Sequence, residues 1–522
     1  MSATRLLSID VGTQSARAIV FDESGNLIAR AQTIFEPAYV SPHPGWAEQD
    51  PEVYWRGVTE SCHKLWEQGS VKPEEIDGLA LTTQRGTVIC VDAQGHVLRP
   101  AILWLDQRLS LKNPALGPFY ASVVRLAGAG DIIESFQTQA EANWIAQHEP
   151  EIWRKTSKFV FLSGWLLHRL SGSYVDSSAA QVGYVPFDFK NSRWEPRAGL
   201  KWRALVVRPD QLPRLLAPAT PLGGLQLEAA AALGLKAGVP IVIAAADKAC
   251  EVLGCGVLDP GIAQLSFGTT ATVNVSTPKY VEVEKMRPPY PAAAPGRYTT
   301  EVQIFRGFWM ISWFRREFAQ REEALGAERG VAVESLFDEL LNSVPAGSMG
   351  LTLQPYWSPG VRDPGPEAKG AIIGFGDVHT RAHLYRAIIE GLVYGLRAGA
   401  TQIETKTKQP IASLRVAGGG SQSDVAMQIT ADIFGIPAER AHVYETSALG
   451  AAIDCAVGLG VHQGFPQAMR AMCRPGARFE PDAKTHATYD ALYREVYSQM
   501  YSRLRPLYEK IREITDYPPR ST

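Results

Sequence analysis

Nowhere does this 522-residue chain approach the ~20 consecutive apolar residues of a membrane-spanning helix. Its longest apolar candidate, residues 239–246, is cut at once by Asp247. Dense Lys/Arg runs are missing and the formal net charge is −2, so the electrostatic footprint of a nucleic-acid binder is lacking. The N-terminus has no basic segment followed by an apolar core and enters a strand pattern within a few residues. No secretory signal is therefore expected, and a cytoplasmic location is. The six cysteines (Cys62, Cys90, Cys250, Cys255, Cys455, Cys473) form no C-x-x-C pair and show no His-linked spacing. That argues against a zinc site and leaves them as small buried hydrophobes in a reducing cytosol. What remains is a globular composition, 45% hydrophobic and 20% charged, in a chain too long for one ordinary core. Two or more domains are expected.

One local design is used twice. Residues 6–21, LLSIDVGTQSARAIVF, read as a strand, a bend at Asp10-Val11-Gly12-Thr13-Gln14-Ser15, and a returning strand. Residues 263–275, AQLSFGTTATVNV, repeat the plan around Gly268-Thr269-Thr270. Glycine at such a bend lets backbone N–H groups approach an anion, and Thr and Ser hydroxyls add donors. Aligning the copies sets Asp10 opposite Ser266, so only the first loop carries a carboxylate. That asymmetry suits a first loop serving a Mg2+ shell and a second touching phosphate. Each loop alone also describes an ordinary hairpin turn. The strongest boundary signal, Asp259-Pro260-Gly261, divides the chain into residues 1–258 and 259–522. Residues 134–168 read as helix interrupted at Pro150.

Asp247 ends a buried strand pattern at the start of a helix, where Asp also serves as a simple cap. Beside two phosphate loops it becomes the candidate general base, taking the proton of an attacking hydroxyl. Gly418-Gly419-Gly420-Ser421, after a strand and before a helix, gives a flat backbone for a base or ribose, or a plain strand-to-helix turn. The small-residue run Ala448-Leu449-Gly450-Ala451-Ala452 suits close helix packing as well as an adenine wall. On the acceptor side stand residues 45–50 (GWAEQD), Gln84-Arg85, and Trp104 with Asp106 and Arg108. Trp offers an apolar face to C–H surfaces while Arg and Asp clamp hydroxyls.

Together these segments resemble the FGGY carbohydrate kinases over nearly the whole chain. The resemblance is carried by IDVGTQSARAIVFD, PGWAEQDPEVYW, ILWLDQR, AAADKACEVLGCGVLDPG, LSFGTTATVNV, GAIIGFGDVHTRAHLYRAIIEGLVYGL, VAGGGSQSDVAMQITADIFG and ETSALGAA. It implies an α/β fold of two actin-like, ribonuclease-H-type lobes, with ATP and Mg2+ in the cleft and a small sugar or polyol deeper, mostly in the first lobe. By position it implies Asp247 as catalytic base and Asp10 as metal-associated carboxylate. Gly12, Thr13, Gln14, Ser15, Gly268, Thr269 and Thr270 fall on the phosphate loops. Gly418, Gly419, Gly420 and Ser423 fall on the adenosine motif, and Gln84, Arg85, Trp104, Asp247 and Lys248 on the acceptor side. Dimers and tetramers occur in the family, so a homodimer is compatible.

The departures concern the acceptor. Gly86 stands where glycerol kinases carry the Glu that grips glycerol, and Lys248 follows the base where relatives carry Asn or Gln. Glu141, three residues before Trp144, replaces a usual Lys, and Phe375 a usual aliphatic residue. An ammonium at position 248 is expected to depress the base's pKa and to pair with an acidic or highly hydroxylated substrate, or equally to point away into a salt bridge. The expected reaction is ATP-dependent phosphorylation of a primary hydroxyl on a ketopentose or a four- to six-carbon polyol. The alternative is a nucleotide-dependent sensor or ATPase on the same scaffold.

Overall fold

The structure is a computed structural model that describes residues 4–111, 113–284, 287–358 and 364–517. The first sheet is built from β1 (Leu6–Val11), β2 (Ser15–Phe21), β3 (Leu27–Ile34), β4 (Gly78–Thr83), β5 (Pro221–Gly224) and β6 (Pro240–Ile243), in the order β5-β6-β4-β1-β2-β3. Strand β1 is buried along its whole length, as a central strand covered on both faces must be. It pairs antiparallel with β2 and parallel with β4. Helix α1 (Pro51–Glu67) starts at a capping Asp50 with Pro51 in its first turn. Its Tyr54, Val58, Cys62 and Leu65 enter the core beneath this sheet.

The second sheet repeats the first. Strands β7 (Ile262–Phe267), β8 (Ala271–Thr277), β9 (Tyr298–Ile304), β10 (Ser413–Ala417), β11 (Ala438–Ala441) and β12 (Pro475–Phe479) run in the order β9-β8-β7-β10-β11-β12, with a two-residue edge strand, Tyr290–Pro291, beyond β9. Senses match strand for strand: β7 is antiparallel to β8 and parallel to β10, as β1 is to β2 and β4. The duplication read from the two glycine loops is thus a duplication of whole sheets, and the expected two-lobed α/β fold is present. Residues 134–168 depart from the helical expectation. Helices Glu141–His148 and Pro150–Lys155 are followed by strand Lys158–Phe161 and then helix Leu162–Ser171. The aromatic and β-branched run KFVF completes a small sheet with Val88–Val91, Ala101–Ile102 and Glu48–Gln49.

Two helices exchange lobes. Helix α2 (Asp247–Gly254) follows β6, and Val252 packs with Ala417 of the second sheet. Ahead of the second exchanged helix lie α3 (Arg381–Thr407), the long helix of the second lobe, and α4 (Asp424–Phe434). Helix α5 (Thr446–Gly458) buries Ala448, Leu449, Ala452 and Cys455 against Leu6, Ile19, Ala80 and Val242 of the first sheet. Close packing, rather than an adenine wall, is therefore what the small-residue run does. Where α2 crosses α5 the backbones touch. A Cβ on Gly450 would lie 2.5 Å from the Cys250 carbonyl carbon, and one on Gly254 2.9 Å from the Gly450 nitrogen. Among the described residues no helix is long and apolar enough to cross a membrane.

Candidate active site

Asp10 lies near the end of β1, opposite Arg17 on β2 and Thr82 on β4. Asp247 is the first residue of α2. The segment leading to it is fixed from both lobes: the Thr82 hydroxyl donates to the Ala245 carbonyl (2.9 Å), and Asp454 of α5 accepts from the Ala245 N–H (3.3 Å). Burial pushes the Asp10 carboxyl up to about 6. The Arg17 guanidinium, 3.1 Å away, opposes that rise, and the Asp247 and Glu445 carboxylates reinforce it. The Asp247 pKa is also raised by burial, against the pull of Arg85 and Lys248.

Lys248 lowers that pKa, as expected, but desolvation outweighs it, and of the two courses open to the ammonium it takes the salt bridge. Its Nζ donates to Glu251 Oε2 (2.7 Å) and to Ser266 Oγ (2.7 Å), and the Ser266 hydroxyl donates to Glu251 Oε1 (2.8 Å). Lys248 is thus tied to a carboxylate on its own helix and to β7.

The structure joins the first loop to the acceptor-side residues. Thr13 Oγ1 donates to Gln84 Oε1 (2.6 Å) and accepts from the Trp104 indole N–H (3.0 Å), and Gln84 Nε2 donates to the Tyr54 hydroxyl (3.2 Å). Trp104 remains 46% exposed, an available stacking face. Gly86 has φ +70°, a conformation that favours glycine, and a Cβ there would sit 3.4 Å from Trp104 Cβ. Gln14 is exposed, whereas Ser15 is buried and accepts from Gln32 Nε2 (2.9 Å). Arg85 reaches the other lobe, its Nη2 3.2 Å from both carboxylate oxygens of Glu301, with its guanidinium 4.8 Å over the Tyr290 ring. Glu301 and Tyr290 escaped the sequence reading. The one available signal was an acidic residue inside the strand YTTEVQI, a place where charge is costly.

Glycines of the two kinds of loop differ in what they are for. A Cβ on Gly12 would meet nothing closer than 3.8 Å, and one on Gly268 nothing closer than 3.4 Å, so packing does not demand glycine there. Thr269 is exposed beside that open space, and Thr270 donates to the Phe305 carbonyl (3.3 Å). A Cβ on Gly418 would lie 2.7 Å from the Phe267 backbone, and one on Gly420 2.5 Å from the Phe308 ring. Those two glycines let the β10–α4 turn close over Phe267 and Phe308, which stack at 4.2 Å. Gly419 alone of the three faces open space, with only Tyr444 Oη at 3.8 Å. Ser423 caps α4, its hydroxyl accepting from the Ala426 N–H (3.0 Å) and donating to Asp338.

Two desolvated carboxylates that repel one another, Asp10 and Asp247, are an arrangement a divalent cation relieves. No group of three or more His, Cys, Asp or Glu side chains suited to a metal occurs among the described residues. An incomplete acidic site fits Mg2+, which keeps waters and phosphate oxygens in its shell.

The fold is a duplicated, two-lobed α/β architecture with two buried carboxyls, Asp10 and Asp247, at the lobe junction, and the family it matches makes it a phosphotransferase. Residues 5–254 match the family model "FGGY family of carbohydrate kinases, N-terminal domain", and residues 263–459 match its C-terminal counterpart. The chain belongs to the FGGY family of carbohydrate kinases. It is similar to a xylulose kinase of Staphylococcus epidermidis, 27% identical over 94% of this chain and 95% of that protein. It is also similar to a glycerol kinase of Methylibium petroleiphilum, 29% identical over 92% of this chain and 95% of that one. In fold it matches a gluconate kinase from Lactobacillus acidophilus, with a TM-score of 0.82 at 20% identity, covering 98% of this chain and 100% of that one.

Proposed function

We propose that this kinase transfers the γ-phosphoryl group of ATP to a primary hydroxyl of a ketopentose or a four- to six-carbon polyol. Asp247 is the general base. It accepts the hydroxyl proton as the acceptor oxygen bonds to the γ-phosphorus and the bond to the β–γ bridging oxygen breaks, leaving ADP. One observation carries the reading: a carboxyl with raised pKa stands at the lobe junction on the first residue of a helix, beside a second carboxyl. A raised pKa makes Asp247 a better proton acceptor than an exposed carboxylate.

Asp10 is the residue that holds Mg2+, which when bound neutralises phosphate charge. The open faces of Gly12 and Gly268, with Thr269, receive the phosphates, and Gly419 lies along the nucleoside. Gln84, Arg85 and Trp104 orient the acceptor. Residues 1–258 then carry acceptor and base, and residues 259–522 the nucleotide. The missing side chain at Gly86 favours an acceptor larger than glycerol. Xylulose, named for the Staphylococcus relative, is a ketopentose of that size.

The test is ADP release with Mg-ATP across ketopentoses, aldoses, polyols, glycerol and sugar acids, with Asp247→Asn as control. Turnover on one acceptor, lowered about 10²–10⁴-fold in the variant with ATP binding kept, is expected. Unchanged turnover removes Asp247 from the mechanism. Rapid ATP splitting without any acceptor favours the ATPase alternative.

A further inference from the structure

Arg85 leaves the acceptor side of the first lobe and is received by the second. Glu301, only 4% exposed in its side chain, presents both oxygens at 3.2 Å, and the Tyr290 ring covers the guanidinium. The partners are 216 residues apart in sequence, and their contact joins the end of β4 to β9.

Other cations on this side are also paired, among them Arg287, which lies by Tyr290 and Glu301 and meets Glu284 at 3.4 Å. Lys248 is held by Glu251, and Arg17 by Asp10. Arg108 is held by Asp106 (2.7 Å) and Glu48 (2.8 Å). Glu141, half-buried at the start of its helix near Asp106 and Tyr184, adds a carboxyl on this side.

We propose that Glu301 makes the acceptor site select uncharged sugars and polyols over their carboxylated counterparts. By pairing with Arg85 across the cleft, Glu301 cancels the guanidinium charge on which a sugar acid's carboxylate would dock. The remaining N–H donors are left for hydroxyl oxygens. A carboxylated acceptor has two routes, and both are unfavourable. It can displace Glu301 and strand a buried carboxylate, or it can sit beside Glu301 and Asp247 as a third negative charge. Selection of this kind comes from an element that repels the wrong ligand. The inference rests on the kinase reading and on Arg85 lying at the acceptor.

The experiment compares kcat/KM for matched pairs, a polyol or ketose against the aldonate of the same carbon number, in the wild type, Glu301→Gln and Glu301→Asp. The wild type is expected to prefer the neutral member by roughly hundredfold. In Glu301→Gln that preference falls by at least about tenfold, through a lower KM for the acid. Glu301→Asp, which keeps the charge, retains the wild-type preference. A wild type that uses acid and neutral acceptor equally overturns the proposal, whatever the variants do. So does a Glu301→Gln enzyme that folds and loses turnover on both members without a change in their ratio, since that marks a structural latch. A wild type that splits ATP equally with and without every acceptor overturns the kinase reading, and this inference with it.

Discussion

Gly450→Ala sets two rules against each other at the lobe junction. By helix propensity alone, replacing an interior glycine with alanine stabilises a helix by about 1 kcal/mol. At this position the new methyl would lie 2.5 Å from the Cys250 carbonyl carbon and 2.7 Å from its Cα. Both are backbone atoms of α2, so no side chain can swing away. Ordinary contact begins at 3.4 Å, and the Cys250 carbonyl oxygen would be nearer the methyl than its carbon, so the helices must part by more than about 1 Å at their crossing. A radial gap of that size forfeits roughly a quarter to a half of each dispersion contact it opens. Overpacking of this sort typically costs 1–3 kcal/mol. The packing cost exceeds the propensity gain, and a net destabilisation of about 1–2 kcal/mol is expected.

The assay is urea unfolding followed by intrinsic fluorescence, with Gly130→Ala as the opposite control. Gly130 opens a helix and a Cβ there would meet nothing within 4 Å, so its variant should be neutral or slightly stabilised. Activity gives a second readout. Cys250 sits one turn after Asp247, and a shift of about 1 Å in a positioned group can cost 10²-fold in turnover. A Gly450→Ala protein as stable and active as the wild type refutes the backbone-on-backbone crossing.

Two further predictions concern buried carboxyls. Asp10, raised from 3.8 to about 6, stabilises the fold below its unfolded pKa, and that contribution is lost as pH rises through 6. Asp10→Asn in EDTA should therefore raise stability at pH 7.5 by about 1–3 kcal/mol and by almost nothing near pH 4; calorimetry at the two pH values that shows no gain at the higher one overturns this. Asp454 is fully buried, its Oδ1 has no hydrogen-bond partner, and burial drives its pKa well above the usual range, which disfavours its charged form in α5. Asp454→Asn should then change stability at pH 7 by less than about 1 kcal/mol, and a loss of about 3 kcal/mol or more in urea unfolding means a charged carboxylate was removed.

Local signals carried much of the fold into view. The glycine loops between β-branched runs are short-range features, so both hairpins and the duplication could be read directly. Asp247 was legible because a strand, a carboxylate and a helix follow one another in the chain. Other features depend on what lies opposite. Nothing in Ala448-Leu449-Gly450-Ala451-Ala452 says that the receiving surface belongs to the other lobe. Lys248 could be placed beside the base by adjacency, but its direction is set by Glu251 one turn on and by Ser266 on β7. Gly418 and Gly420 look the same as Gly419 in sequence, and only the position of Phe267 and Phe308 separates a packing glycine from an open one. Glu301 was out of reach because its meaning lies in Arg85, 216 residues away.

Charge pairing and lobe packing meet on one short helix. Asp247 opens α2 and Gly254 closes it, so base and crossing point are tied through eight residues of rigid backbone, about 12 Å at 1.5 Å per residue. The base cannot move toward or away from the acceptor without moving the crossing on α5. The two cations whose fields lower the Asp247 pKa, Arg85 and Lys248, each hold a carboxylate partner, and both partnerships reach the second lobe, at Glu301 or at Ser266. Separating the lobes would break the Arg85–Glu301 pair and the Lys248 bond to Ser266 while leaving Lys248 paired with Glu251 on its own helix, so the positive charge freed toward the proposed base Asp247 is that of Arg85. On the proposed mechanism, Asp247 is therefore the stronger proton acceptor with the lobes together.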